Sequence, residues 1–217
     1  MRSCWIVLLI FIVGSISHCQ SHDTVTIRHK FYATTFNTSL RFPIVVKYWL
    51  TKKMQDCGKK SKRTDKFTPD PQLPEFTDLK KDYYKSGYDE GHNMDAFDNS
   101  CDSIGMIESF YFSNMSPQTH RLNAGAWKRL EEYARAKAAT FDSVLIWCGS
   151  VSLKSKKHIG KVRVPDYCWK IVYTRKTGAV EAYSFKNNKV KPIALSSYKV
   201  PLDSVEHLSG LKFVAAF

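Results

Sequence analysis

The sequence predicts an α+β fold: a mainly antiparallel central sheet flanked by helices. Three observations carry this. Apolar, β-branched runs outnumber helical patterns, one pair of runs is joined by a Thr177-Gly178 turn, and a single long amphipathic helix lies mid-chain. The chain has 217 residues, enough for one sizeable core.

Taken in order, residues 24–50 read as strands around a turn. Thr24–His29 alternates in polarity, Phe42–Leu50 is apolar and β-branched, and Asn37-Thr38-Ser39 supplies turn residues between them. Lys52–Lys66 is basic and hydrophilic, and Pro69, Pro71 and Pro74 then forbid regular structure, so a long surface arm is expected here. Residues 107–113 read as a strand through Phe110 and Phe112. Asn123–Ala139 combines strong helix formers with Leu122, Ala126, Leu130 and Ala134 at helical spacing, which predicts the long helix. Ser143–Gly149 and Cys168–Thr174 are expected as buried strands, and Val180–Phe185 completes a hairpin across Thr177-Gly178. A short helix over Ser204–Ser209 should end at Gly210.

Arg2, an apolar run from Cys4 to Val13 and small residues after it describe a signal peptide over residues 1–19; the run is too short for a membrane span. Residues 20–217 are then one exported domain, secreted or periplasmic. A lipid anchor at Cys19 is the weaker alternative, because His18 fits that signal poorly. The formal net charge is +13, which favours a polyanion partner. Cys57, Cys101, Cys148 and Cys168 allow up to two disulfides with three connectivities. No CxxC spacing or histidine cluster accompanies them, so a zinc site is not expected.

Two segments carry the chemistry. The first is Tyr88-Asp89-Glu90-Gly91-His92-Asn93. The second opens with Asn114-Met115-Ser116-Pro117-Gln118 and continues from Leu122 to Arg135. Asn123, Trp127, Glu131 and Arg135 recur every four residues, so a helix sets them along one stripe. An amide, a carboxylate and a guanidinium on one face, with a histidine upstream, suit a hydrated metal and a phosphate. This order, a Gly-His pair, then SNMSPQ, then LNAGAWKRLE, then VPDYCWKIVY, resembles the DNA/RNA non-specific endonuclease family of ββα-metal nucleases. The likeness runs from about His29 to Phe213 and is densest over Tyr88–Arg135.

That resemblance implies a ββα-metal motif and a nuclease acting on DNA and RNA. It makes His92 the general base and Asn123 the single protein ligand of Mg²⁺, with Mn²⁺ as substitute. Glu131 would hold metal-bound waters, Arg135 would touch the scissile phosphate, and Asn114 would orient the site through hydrogen bonds. The residues taken alone also allow Asn123 as a helix cap, Glu131 paired with Arg135 four residues on, and Trp127 as core. One position departs from the family's usual Asp-Arg-Gly-His: Glu90 stands where arginine is common. Lys85, Arg121 and Lys128 are the nearest candidates for the missing charge. The rival function is a non-catalytic polyanion-binding protein on the same fold.

Overall fold

Alternation along the strands explains the architecture. The computed structural model describes residues 23–188 and 194–213; the signal-peptide and Cys19 readings lie outside them. In chain order the elements are β1 (Thr24–Arg28), β2 (Tyr32–Asn37), β3 (Phe42–Thr51), α1 (Pro74–Thr77), α2 (Lys80–Tyr83) and β4 (Asp89–His92). Next come α3 (Ser103–Ser109), β5 (Met115–Gln118), α4 (Lys128–Phe141), β6 (Ser143–Val151), β7 (His158–Ile159) and β8 (Val162–Arg163). β9 (Tyr167–Thr174), β10 (Ala179–Lys186), β11 (Lys199–Val200) and α5 (Leu202–Ser209) complete the set.

Seven strands form one sheet in the order β1-β2-β3-β6-β9-β10-β11, every neighbour antiparallel. Successive residues bury on opposite faces. Val144, Ile146 and Cys148 of β6 join Cys168 and Val172 of β9 beneath Leu130, Ala134 and Ala138 of α4. Leu145, Trp147, Trp169 and Ile171 pack on the other side with Val205 of α5 and Phe213. Leu130 is fully buried, and burial of one such side chain contributes roughly 1.5–3 kcal/mol. Gly210 closes α5 at φ 71°, a left-handed backbone that glycine adopts without steric cost.

Two elements differ from the sequence reading. β2 pairs with both β1 and β3, burying Tyr32, Thr34 and Phe36 in period two. Residues 107–113 form no strand: α3 is capped by Asp102, whose Oδ1 accepts from Gly105 N at 2.8 Å, and a single turn spans Phe112–Asn114. Phe110 and Phe112 are fully buried, but a helix end followed by a turn buries them, which in sequence imitates strand alternation.

The basic arm is tied down rather than loose. A disulfide joins Cys57 to Cys101, and Ser61 N donates to Ser100 O at 2.6 Å. Cys148 and Cys168 are buried thiols, so one of the two allowed bridges forms. The bond closes a loop of 44 residues in sequence, and such closure contributes roughly 2–4 kcal/mol. Replacing Cys57 and Cys101 by serine is therefore expected to lower the melting temperature, and reductant should act likewise on the wild type alone.

Candidate active site

Three elements converge on one cleft of about 510 Å³: β4 brings His92, the turn before α4 brings Asn123, and α4 brings Glu131 and Arg135. β4 and β5 form an antiparallel ribbon with Gly91 opposite Ser116, and the chain then enters α4, which is a ββα unit. The ribbon needs Gly91, because a Cβ there would meet Gln118 Cδ at 2.4 Å. A hollow of 580 Å³ beside Trp49, Trp147 and Phe213 shares no residue with the cleft.

His92 is 8 % exposed. Its ring meets Phe110 edge-on, with centroids 4.9 Å apart, and lies 5.6 Å from Phe67. Nε2 is buried without a hydrogen-bond partner. A neutral imidazole keeps a lone pair on one ring nitrogen, free to accept a proton. Burial pushes the imidazole pKa down to about 4 against the opposing pull of Asp95, so the ring is neutral at physiological pH.

Asn114 is fully buried and clamps the segment just after His92. Its Oδ1 accepts from Met94 N at 2.9 Å, and its Nδ2 donates to the carbonyls of Met94 (2.9 Å) and Ser109 (2.8 Å). Asn114→Ala would strand these groups in the interior. Stability is expected to fall by about 3 kcal/mol, with turnover reduced more than substrate affinity, as chemical denaturation and steady-state kinetics would show.

The predicted helix over Asn123–Ala139 starts later than expected. Leu122–Trp127 forms a widened turn, with Gly125 off helical geometry (φ −107°, ψ −105°), and regular helix begins at Lys128. Such a turn departs from the i→i+4 pattern. Asn123 does not cap the helix: its Nδ2 donates to Asp89 Oδ2 at 2.9 Å. With Nδ2 so held, Oδ1 is the side-chain atom left to meet a cation. Trp127 is buried below the cleft, its Nε1 donating to His92 O at 2.9 Å.

Glu131 is nearly buried and does not pair with Arg135; its Oε1 lies 3.8 Å from Nζ of Lys170 on β9. Burial, reinforced by Asp95, raises the Glu131 carboxyl well above the usual range, and Lys170 opposes that. Arg135 instead bonds Asp95 and, at 3.2 Å, Asp98 through Nη1. This leaves donors of its five-N–H fork for another anion. Burial and the Asp95 charge push Asp98 up to about 7. Sequence reasoning missed Asp95, Asp98 and Lys170; only the proximity of the two aspartates to His92 hinted at the first pair.

Lys60 and Arg63 of the basic arm line the cleft with Lys128. Arg63 stacks over Phe110 at 4.9 Å. Of the three cations expected to offset Glu90, only Lys128 lines the cleft; Lys85 lies over Tyr84, and Arg121 is exposed outside it. Glu90 does not line the cleft either, and burial raises its carboxyl pKa.

A model of the DNA/RNA non-specific endonucleases matches residues 15–216. The chain belongs to this family. Among its relatives, Nuclease EXOG, mitochondrial, of Xenopus laevis is 33 % identical over 175 residues, covering 72 % of this chain and 49 % of the relative. Endonuclease G, mitochondrial, of Bos taurus is 32 % identical over 149 residues, covering 61 % and 50 %. The chain thus spans about half the length of these relatives. A solved structure titled as the EndoG/EndoGI complex and the mechanism of EndoG inhibition aligns at TM-score 0.80 and 27 % identity, over 87 % of this chain and 84 % of that one. The α+β architecture agrees with the expected one. The expected export does not stand: the relatives are named mitochondrial nucleases, not secreted or periplasmic ones.

Proposed function

We propose that the chain is an endonuclease hydrolysing phosphodiester bonds of DNA and RNA with a divalent metal, Mg²⁺ or Mn²⁺, in the compartment its relatives are named for. The observation carrying this is a neutral histidine with an unpartnered Nε2, set in one cleft with Asn123, Glu131 and Arg135 and edged by Lys60, Arg63 and Lys128. No cluster of three or more His, Cys, Asp or Glu residues suited to a metal occurs among the described residues. The donor set still fits a hydrated hard cation, since Mg²⁺ keeps most of its waters and takes few protein ligands. Asn123 Oδ1 would hold it directly, and Glu131 would bind its waters. When bound, it would supply Lewis-acid stabilisation of the charge that builds on the phosphate.

The protein groups perform the remaining work. His92 Nε2 takes the proton from a water attacking phosphorus as the bond from phosphorus to the leaving ester oxygen breaks. The free donors of Arg135 and the rim cations Lys60, Arg63 and Lys128 bind phosphate oxygens. Contacts of this kind ignore base identity and sugar. Arg63 supplies from the arm the charge that Glu90 withholds.

Closed-circular plasmid and a structured RNA, each incubated with Mg²⁺ or with EDTA, test the proposal. Metal-dependent nicking of the plasmid and fragmentation of the RNA are expected. Retention of the plasmid without any nicking, in Mg²⁺ and in Mn²⁺, would sink it in favour of a polyanion-binding protein.

A further inference from the structure

Lys170 lies in the middle of β9 on the face otherwise filled by Cys168, Val172 and the apolar side of α4. It is fully buried, with Cys148 opposite it on β6 and Tyr183 on β10. An ammonium in such a place is costly unless its surroundings compensate it. Three groups do so: Glu131, which lines the cleft, and the Asn93 carbonyl and Trp127 ring buried behind it. Nζ donates to the Asn93 carbonyl at 3.4 Å, directly after His92. It lies 4.3 Å from the ring centroid of Trp127, whose Nε1 bonds the His92 carbonyl. It also faces Glu131 Oε1 at 3.8 Å.

The charged groups around Glu131 are Asp95 and Asp98 from the segment after β4, Arg135 one turn along α4, and Lys170 from the sheet. Three carboxylates thus meet two cations. Arg135 is bonded to both aspartates, so the cation paired with Glu131 is Lys170. We infer that Lys170 is a positioning residue that reaches from the sheet to hold the Glu131 carboxylate, the Trp127 indole and the His92–Asn93 backbone in register. This rests on the nuclease reading for its effect on turnover, but the ion pair itself does not depend on that reading.

A double-variant cycle tests it. Lys170→Met keeps the apolar contact with Trp127 and removes the charge, leaving a buried carboxylate unpaired. At pH 8 the melting temperature of the metal-free protein should fall by roughly 10 °C. Adding Glu131→Gln removes the stranded charge and should restore at least half of that loss. In plasmid cleavage, Lys170→Met should lower kcat by roughly tenfold or more with KM within about twofold, because the rim cations are untouched. Additive stability losses, or unchanged kcat in Lys170→Met, overturn the inference. If Lys170→Met alone does not fold, the double variant must; a double variant that is also unfolded overturns it too. The stability cycle reads the pair whether or not the protein cuts nucleic acid. Additive losses therefore mark failure of this inference, and a wild type that never nicks marks failure of the nuclease reading.

Discussion

His92→Ala is expected to reduce plasmid nicking by roughly 10²–10⁴-fold, the range of a positioned general base, while leaving the sheet intact by circular dichroism. Stability should respond as well, with a definite sign. Burial depresses the His92 pKa to about 4 from the 6.5 of a free imidazole. Above pH 6.5 neither the folded nor the unfolded state protonates the ring, and its neutral burial costs nothing extra. As pH falls from 6.5 towards 4 the unfolded chain takes up the proton first, so stability is lost by about 3 kcal/mol across that window. Denaturation at pH 7 and pH 5 should show the wild type losing more than His92→Ala. Equal losses would mean that the ring is solvated, and a fully active variant would remove His92 from the reaction.

Asn123→Ala should be as damaging by a different route. The variant loses the amide oxygen proposed to meet the cation, and the several kcal/mol of charge stabilisation supplied there correspond to roughly 100-fold or more in turnover. The loss should also appear without catalysis, as weaker Mn²⁺ binding in titration calorimetry. Asn123→Asp separates coordination from shape: it offers an oxygen but gives up the Nδ2 bond to Asp89 and sets two carboxylates side by side. Wild-type Mn²⁺ affinity in Asn123→Ala would place the ligand elsewhere.

What could be read in the sequence follows from how local each signal is. Strands β3, β6, β9 and β10 announce themselves because each must bury a run of β-branched and aromatic residues, and α5 because Gly210 stops it. His92, Asn123, Glu131 and Arg135 were legible as a motif, and the fold brings them to one cleft. What escaped is placed by tertiary structure. Lys170 looks like an interruption in an apolar strand until α4 lays Glu131 over it. Arg63 is one basic residue among many until the Cys57–Cys101 bond draws its arm along the cleft wall. The strand expected over residues 107–113 failed because two phenylalanines two apart satisfy a helix end as well as a sheet.

The widened turn at Leu122–Trp127 has a mechanical consequence. It uncouples the two ends of the stripe that an unbroken helix would lock together. Asn123 is moored to Asp89 on the β-ribbon, whereas Glu131 and Arg135 ride on a helix whose angle is set by Leu130, Ala134 and Ala138 against the sheet. Substitutions that tilt α4 will therefore carry the carboxylate and the guanidinium as a unit and leave the amide behind. The spacing between the two moorings is a tunable dimension of the cleft, adjustable from the core without altering any residue that lines it.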